Sequence, residues 1–385
     1  MVKSCTRCVL DVKVPEIKFD NSGLCNYCKI YEYLEQQYPL NKNSDKKFRE
    51  IVEKIKRDGK NKKYDCLIGV SGGADSTYIL YVVKKLGLRP LALHLDNGWN
   101  SEIAVSNIER ATNKLNIDLK TVVLDWEEFK DLQIAFLKAS VPDVEIPTDH
   151  AIEAILYKVA NEEGIKYIFQ GHNFRTEGKI PINWGYGDAR YIKSVYQLFG
   201  KNKRLRNFPL VTPAKLIYYN FIRRIKNVRI LYYLGYNKSK IKELLEKELG
   251  WVDYGGKHHE STYTKFIQSY ILPKKFNIDK RLVHYSAMIC SNQITKKEAI
   301  KIIKQPPISD IEAKDLKAYV LKKLGLSEDE FEKIMKNRPK SFQDYPTYFQ
   351  LIKKFIKPIK IVYSLTSPSL PPMLKLMDSS QEKKI

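Results

Sequence analysis

Residues 64–80 read YDCLIGVSGGADSTYIL and combine an apolar run, a glycine-rich turn and the start of a helix. The run that ends at Val70 favours a buried strand, and a helical pattern follows the turn SGGADS at 71–76. Adjacent glycines let the backbone approach a ligand closely, and a helix N-terminus favours an anion. The stretch therefore predicts a phosphate-binding turn, with an ordinary strand-to-helix turn as the competing interpretation.

Strands and helices alternate on both sides of this turn. Strands are predicted near 64–70, 90–96, 119–124 and 166–171, and helices near 75–87, 101–116, 127–139 and 149–163. Such alternation predicts an α/β fold with a doubly wound parallel sheet, whose ligands lie beyond the carboxyl ends of the strands. The turn SGGADS, the segment HLDNGW at 94–99 and the segment QGHN at 170–173 all follow strands. We expect them to converge on one crevice.

The composition sets the class of protein and the charge of its partners. The chain has 385 residues, 43% of them hydrophobic, and a net charge of +23. No run approaches the ~18 apolar residues of a membrane span, and MVKSCTRC lacks the core of a signal peptide, so a cytoplasmic protein is predicted. The charge favours nucleic acid, nucleotide sugars or an anionic membrane face, and charge alone cannot choose among them.

Four of the six cysteines lie in the first 28 residues as two CxxC pairs. The pairs are Cys5 with Cys8 and Cys25 with Cys28, and this spacing is typical of a four-thiolate zinc site. An iron–sulfur cluster and disulfides are the alternatives, although a reducing cytosol disfavours disulfides. We predict a structural zinc ion in a zinc ribbon.

The second half of the chain is basic, aromatic and mostly helical in pattern. Its most distinctive stretch is GWVDYGGKHHES at 250–261, where two glycines precede Lys257, His258 and His259. A charged loop that binds a ligand is favoured over a metal site, because adjacent side chains rarely face one ion, and over a solvated surface loop. The predicted division is a zinc ribbon with connector at 1–45, a nucleotide domain at 46–205 and a helical region for substrate or partner at 206–385.

The glycine-rich turn matches neither common nucleotide motif. No lysine follows its glycines as in GxxxxGK[ST], and GxGxxG is absent. SGGADS instead resembles the pyrophosphate (PP) loop of the ATP pyrophosphatases, which have the adenine nucleotide alpha hydrolase-like fold. The resemblance implies that ATP and Mg²⁺ bind there. The implied nucleotide-binding residues are Ser71, Gly72, Gly73, Asp75, Ser76, Asp96, Gly171 and His172.

A more specific resemblance covers roughly residues 1–300. CTRCVL…IKFDNSGLCNYC, SGGADS, HLDNGWNS, QGHN…TEG and GWVDYGGKHHES…DKR together resemble the N-acetyl sugar amidotransferases, bacterial ATP pyrophosphatases of surface-polysaccharide synthesis. Ala74 departs from the family, where lysine is frequent. The resemblance implies that the acetamido group of a UDP-linked N-acetyl sugar (uronic) acid is adenylated and then converted by ammonia into an acetamidino group. AMP and pyrophosphate are released, and lipopolysaccharide O-antigen or capsule is the destination.

This reaction needs catalytic groups and a source of ammonia. The candidates are Lys257 and Arg281 for anions, His258 or His259 for a proton, and Asp75 for the metal or the helix start. Neither Cys66 nor Cys290 has a glutaminase context, so a separate glutaminase with a synthase-like subunit is implied. Peripheral membrane contact stays open, and nucleic acid is disfavoured. The alternatives are a tRNA-thiolating enzyme, which generally uses further cysteines, and a scaffold without catalysis.

Overall fold

The computed structural model describes residues 4–256 and 259–366, and five parallel strands form a sheet at its centre. The strands are β1 (Cys66–Gly69), β2 (Pro90–Asp96), β3 (Asp118–Val123), β4 (Tyr167–Phe169) and β5 (Lys226–Val228). Their order across the sheet is β3-β2-β1-β4-β5. All four neighbouring pairs are parallel.

Helices make up most of the rest of the described chain. In chain order they are α1 (Asn26–Gln37), α2 (Lys42–Gly59), α3 (Ala74–Lys85), α4 (Glu102–Leu115), α5 (Trp126–Ala139), α6 (Ile146–Glu162), α7 (Phe174–Glu177), α8 (Ala189–Phe199), α9 (Pro213–Ile217), α10 (Lys238–Leu249), α11 (Thr262–Phe266), α12 (Leu272–Phe276), α13 (Arg281–Cys290), α14 (Lys296–Ile303), α15 (Asp310–Leu324), α16 (Glu328–Lys336), α17 (Phe349–Lys354) and α18 (Ile356–Thr366). Side chains before several helices accept bonds from first-turn N–H groups, which fixes where those helices begin. Ser101 does so for α4, and Asp125 does so for α5.

Successive residues of the strands enter two separate hydrophobic clusters. Leu67 of β1 belongs to the cluster formed with α5, α6 and α8, whereas Ile68 belongs to the cluster formed with α2, α3, α4 and α10. Because strand side chains alternate between faces, the sheet is covered by helices on both sides. The predicted doubly wound α/β fold is confirmed.

The order of the strands creates one crevice. From β1 the chain runs outward through β2 to β3, then returns to place β4 on the other side of β1. The connections leaving β1 and β4 therefore diverge to opposite sides, and a doubly wound sheet binds its ligands at such a switch point. The turn at 71–76 and the segment at 170–173 lie at this point.

The structure differs from the sequence prediction in one element of the sheet. β5 lies within residues 201–250, which were predicted to be largely helical, and it pairs with β4 through Tyr167–Phe169. The three residues are Lys, Asn and Val, and a segment this short with one apolar residue carries too weak a pattern to be recognised as a strand. The predicted domain boundaries stay predictions.

The two ends of the described chain dock against each other and against the sheet domain. Arg7 pairs with Glu32 and donates to the Cys290 carbonyl, while Lys296 of α14 donates to the Cys5 carbonyl at 2.7 Å. Further along, the Tyr345 hydroxyl donates to the Ala139 carbonyl at the end of α5. The N-terminal ribbon thus rests on the C-terminal helices. Within residues 4–256 and 259–366, no helix has the length and apolarity to cross a membrane.

Candidate functional site

The turn after β1 presents an uncapped helix N-terminus. Gly72 has φ +79°, and a Cβ there would lie 2.2 Å from the Ala104 carbonyl oxygen, so only glycine fits. Gly73 precedes α3 in extended conformation, and no side chain caps that helix. Its first-turn N–H groups are left for an anion, as predicted for a phosphate-binding turn.

Two serine hydroxyls shape this turn from inside. Ser76 donates to the Gly73 carbonyl at 3.1 Å and accepts from the Ser71 N–H at 3.3 Å. The Ser71 hydroxyl accepts from the Gly73 N–H at 3.3 Å. Ser76 is buried, so its role within the turn is structural, whereas Ser71 is partly exposed at the crevice.

A segment far away in sequence packs over the turn. Trp251 donates its indole N–H to the Gly72 carbonyl at 2.9 Å, and Asn107 of α4 also donates to that carbonyl. Asn107 in turn exchanges two bonds of 2.8 Å with the backbone of Val252. These contacts fix the Trp251 segment against the loop and hold the Gly72 carbonyl away from the ligand side.

Tyrosines from this opposite side reach the acidic and glycine positions of the turn. Tyr236 donates to the Asp75 carboxylate, and burial followed by the Asp75 charge raises the pKa of Tyr236 far above its usual value. A Cβ on Gly73 would lie 2.9 Å from the Tyr254 hydroxyl. Burial and the Glu260 carboxylate likewise raise the pKa of Tyr254, so both phenols stay protonated as donors.

The connection after β2 pairs with the start of α11. The Ser101 N–H donates to the Glu260 carbonyl and the Thr262 N–H donates to the Trp99 carbonyl, both at 2.9 Å. The Glu260 carboxylate also accepts from the Ser71 hydroxyl at 3.4 Å. Residues near 260 are therefore built directly onto the phosphate-binding turn.

Together these elements enclose a cavity of about 200 Å³, which we call the loop cavity. Its lining residues are Gly69, Ser71, Gly73, Ala74, Asp75, Ser76, Gly171, Glu177, Lys238, Lys242, Trp251, Asp253, Tyr254, Gly255, Gly256 and Glu260. Lys238 and Lys242 of α10 bring positive charge, and Lys242 pairs with Asp253. An opening of this size, with backbone N–H groups on one wall and ammonium groups on another, suits a pyrophosphate group.

Some of the predicted nucleotide-binding residues line this cavity and others do not. Ser71, Gly73, Asp75, Ser76 and Gly171 line it. Gly72 instead faces α4, and among the lining residues there is neither Asp96 nor His172.

Asp96 and His172 make other contacts. The Asp96 carboxylate accepts from the Gly98 N–H at 2.8 Å in a turn. His172 contacts the Tyr232 hydroxyl at 3.0 Å and the Glu177 carboxylate at 3.5 Å. Their roles toward a nucleotide stay predictions.

Four residues in the second half of the chain were predicted to be catalytic, and the structure describes two of them, His259 and Arg281. His259 packs over Gly256, where a Cβ would lie 2.3 Å from its ring. Arg281 binds Asp279 through two nitrogens and also donates to the carbonyls of Ile303 and Gln305. Lys257 and His258 lie outside the described residues. The catalytic roles of all four stay predictions.

Of the residues that close the cavity, Glu260 belongs to the charged loop predicted to bind a ligand, and the others were not predicted as site residues. Tyr236 gives no local signal, since a single tyrosine before a helix is unremarkable. Trp251, Tyr254 and Glu260 stand in the glycine-rich stretch at 250–261, whose density in aromatic and charged residues was the available signal. Asn107 lies inside α4, where only the three-dimensional contact reveals its function.

The four N-terminal cysteines form the expected cluster. Their sulfur atoms all lie within 4.8 Å of one another, and all four residues are buried. The Cys5–Cys28 and Cys8–Cys25 sulfur distances are 3.8 and 3.7 Å. Tetrahedral zinc–sulfur bonds of about 2.3 Å would place sulfurs about 3.8 Å apart, so the cluster fits a zinc ion.

Cys290 adds a fifth sulfur that the sequence did not connect with this cluster. It lies at the end of α13, and its sulfur is 3.7 Å from that of Cys28. The other unassigned cysteine, Cys66, lies inside β1, where burial strongly raises the pKa of its thiol. Neither cysteine lines the loop cavity.

Comparison with known proteins gives one family match and several relatives that cover part of the chain. Residues 260–358 match the family model described as "LPS biosynthesis protein WbpG-like, C-terminal domain". An uncharacterized protein of Methanocaldococcus jannaschii is 29% identical over 175 residues, which are 44% of this chain and 58% of that protein. A tRNA-5-methyluridine(54) 2-sulfurtransferase of Thermotoga maritima is 25% identical over 232 residues, 58% of this chain and 68% of that protein.

Solved structures show weaker likeness. The NH3-dependent NAD synthetase of Campylobacter jejuni has 16% identity and a TM-score of 0.31, over 69% of this chain and 99% of that chain. At such a score the likeness carries no weight for the site. The family match extends beyond residue 300, where the sequence resemblance was expected to fade. The resemblance to enzymes of surface-polysaccharide synthesis is confirmed for residues 260–358, which match the WbpG-like C-terminal domain and lie beside the glycine-rich turn of an α/β domain.

Proposed function

We propose that the chain is an ATP-dependent, AMP-forming amidotransferase acting on a nucleotide-linked N-acetyl sugar acid. One observation carries the proposal. Glu260, the first residue of the WbpG-like match, bonds to Ser71 of the phosphate-binding turn and pairs with the backbone after β2. The part of the chain that resembles polysaccharide enzymes therefore completes the cavity for pyrophosphate.

In this proposal the loop cavity holds the phosphates of ATP. The N–H groups at the start of α3 and the ammonium groups of Lys238 and Lys242 stabilise the negative charge that grows on departing pyrophosphate. Mg²⁺ would be held by phosphate oxygens with Asp75 or Glu260, because Mg²⁺ commonly binds through substrate phosphates and only one or two carboxylates. Among the described residues, the four cysteines form the one group of three or more His, Cys, Asp or Glu side chains that could hold a metal ion.

The chemistry follows from the weakness of an amide as an electrophile. The acetamido oxygen attacks the α-phosphorus of ATP, pyrophosphate leaves, and AMP becomes a good leaving group at the amide carbon. Ammonia adds to that carbon, loses a proton to a nearby base and expels AMP, which leaves an acetamidino group. Closure of the site would exclude water as a competing nucleophile.

Ammonia would come from another protein. A glutaminase needs a reactive thiolate, but Cys66 is buried in β1 with a raised pKa and Cys290 lies against Cys28. We therefore propose a separate glutaminase with a synthase-like subunit as partner. The purified chain should use ammonium salts and not glutamine, and glutamine-dependent turnover by the chain alone would contradict this.

A second candidate function, tRNA thiolation, is favoured by the similarity to the 2-sulfurtransferase of Thermotoga maritima. The net charge of +23 also suits nucleic acid. Against it, neither cysteine outside the four-sulfur cluster lines the loop cavity. The family match at 260–358 gives the sugar reaction further support.

One experiment separates the two candidates. Purified protein is supplied with ATP, Mg²⁺ and ammonium chloride together with UDP-linked acetamido sugar acids, or with unmodified tRNA and sulfide, and AMP and pyrophosphate are measured. We expect AMP release that depends on both ammonia and the sugar acid, with a product 1 Da lighter because oxygen is replaced by NH. AMP release only with tRNA would refute the sugar reaction.

A further inference from the structure

A second, larger cavity adjoins the loop cavity, and we call it the outer cavity. Its volume is about 760 Å³. The two cavities share three lining residues, Lys238, Gly255 and Gly256. Ligand pockets usually measure about 300–1,000 Å³, so the outer cavity has room for a substrate, whereas the loop cavity accommodates little more than phosphates.

Most of the outer cavity is lined by the WbpG-like domain. α13, α14 and the segments beside them supply Asp279, Lys280, Arg281, His284, Tyr285, Met288, Ile294, Glu298, Lys301, Ile302 and Gln305. The phosphate-binding turn belongs to the other half of the chain. The region that matches the WbpG-like model thus lines most of the cavity next to the loop cavity. That placement points to the acceptor and not to ATP.

The walls are suited to a polar ligand. Thr176 lines the cavity, is 2% exposed, and its hydroxyl has no hydrogen-bond partner in the described structure. A buried hydroxyl without a partner is costly, so a ligand that bonds to it gains affinity. Tyr285 adds a partly exposed ring of the kind that packs against a sugar.

The charges favour an anion. Four lining residues are cationic (Lys238, Lys280, Arg281 and Lys301), whereas two are carboxylates (Asp279 and Glu298). Both carboxylates are engaged, since Asp279 binds Arg281 and Glu298 accepts from the N–H of Thr295 as a helix cap. The cavity therefore has an excess of positive charge.

The cations differ in their freedom to bind a ligand. Lys280 pairs with Glu145 at 3.1 Å, and Arg281 spends its nitrogens on Asp279 and two backbone carbonyls. Lys301 is exposed on α14 and makes no ion pair within the described residues. Arg281 can contribute its charge, but Lys301 is the group able to turn toward a ligand.

We infer that the outer cavity is the acceptor site and that Lys301 determines its preference for an acidic sugar. This inference rests on the proposed function. The carboxylate or diphosphate of a nucleoside diphosphate sugar acid lies near Lys301 and Arg281, and the Thr176 hydroxyl bonds to the ligand. The acetamido group lies at the strip of Lys238, Gly255 and Gly256, next to the phosphates.

The test compares charge reversals at two neighbouring positions, Lys301 in α14 and Lys304 directly after that helix. Lys301→Glu changes the cavity, and Lys304→Glu makes the same change at an exposed position outside it. With a UDP-linked acetamido sugar acid, Lys301→Glu should raise KM for the sugar about 10-fold, the effect of ~1.4 kcal/mol. KM for ATP should stay within about twofold, and Lys304→Glu should match the wild type.

A second comparison uses the neutral counterpart of the sugar, which carries a hydroxymethyl group instead of the carboxylate. The preference of the wild type for the acid should shrink in Lys301→Glu. Thr176→Val keeps the shape of the side chain and removes a hydroxyl that bonds to no protein group. It should weaken sugar binding in calorimetry without lowering the melting temperature.

The outcomes distinguish this inference from the proposed function. If the wild type converts the sugar acid and both lysine variants behave alike, the acceptor assignment is wrong and the function stands. If Lys301→Glu raises KM for ATP and not for the sugar, the cavity holds adenosine and the assignment is overturned. If the wild type uses no sugar at all, the function fails, and the assignment falls with it.

Discussion

The two sides of the loop cavity are built in different ways. One side is a single stretch, Ser71 to Ser76, in which neighbouring residues bond to one another. The opposite side is assembled from Tyr236, Tyr254 and Glu260. Tyr236 and Glu260 bond to residues far away in the sequence, and Tyr254 bonds to Glu260. A glycine-rich turn can therefore be recognised from the sequence, whereas most of the groups that pack opposite it cannot.

The largest effect is expected on the contiguous side. Gly73→Val should weaken ATP binding by 100-fold or more, because a side chain would occupy the space where phosphate approaches the backbone. The new Cβ would lie 2.9 Å from the Tyr254 hydroxyl, the far end of a side chain that can move, so the fold should survive. Calorimetric titration with ATP measures the change.

The matched control is Gly235→Val, since a Cβ at Gly235 meets nothing within 4 Å. Its affinity for ATP should equal that of the wild type. Unchanged affinity in Gly73→Val would mean that the contiguous side does not bind ATP, and the contrast between the two sides would lose its basis. Gly72 is unsuitable for this test because its φ and the Ala104 backbone both forbid a side chain.

Features that depend on neighbouring residues could be predicted from the sequence, whereas features that depend on distant contacts could not. β1 to β4, the helices between them and the four-cysteine cluster were predicted, because hydrophobic periodicity and CxxC spacing are local signals. The strand ends were predicted to converge on one crevice. Gly171 does line the loop cavity, whereas the Asp96 side chain binds within its own turn. Asn107, Trp251 and Tyr236 could not be assigned, since each role depends on a contact with a residue 145 or more positions away.

The cysteines show the same contrast between local and distant residues. Four of them lie in one stretch, and Cys290 comes from the distant half of the chain. Cys28→Ser should lower bound zinc below half an equivalent per chain, because the four mutually close sulfurs are the ligands. Cys290→Ser should keep one equivalent, since Cys290 is close to Cys28 alone. Elemental analysis of the tag-free protein measures both, and zinc loss in both variants would make Cys290 a ligand.

A smaller effect is expected on the assembled side. Tyr236→Phe removes the donor to the Asp75 carboxylate and keeps the buried ring, so kcat/KM for ATP should fall about 10-fold. Tyr78→Phe is the control, because Tyr78 packs edge-on against Tyr236 at 5.9 Å and makes no bond to Asp75. Equal activity in the two variants would show that Asp75 does not depend on the distant tyrosine.

The smallest effect on function is expected at the α5–α6 connection, which contacts two residues of the outer cavity. Glu145 in this connection accepts from Gln268 and pairs with Lys280, and Asp143 lies two residues earlier, 3% exposed. Burial raises the pKa of Asp143 to about 7, although Tyr191 donates to its carboxylate. The acid is therefore protonated in the folded protein at pH values where the unfolded chain has already ionised.

The sign of the pH dependence follows from that difference. From about pH 4 to pH 7 the folded state holds the extra proton on Asp143, so this carboxyl contributes a negative slope to the free energy of unfolding against pH, at most about 1.4 kcal/mol per unit. Asp143→Asn should remove this slope and leave ATP affinity within about twofold. Asp315→Asn, the same change at an exposed helical position, should keep it. Urea unfolding at pH 5, 6 and 7 measures the slopes, and equal slopes in all three proteins would show that Asp143 does not hold an extra proton in the folded state.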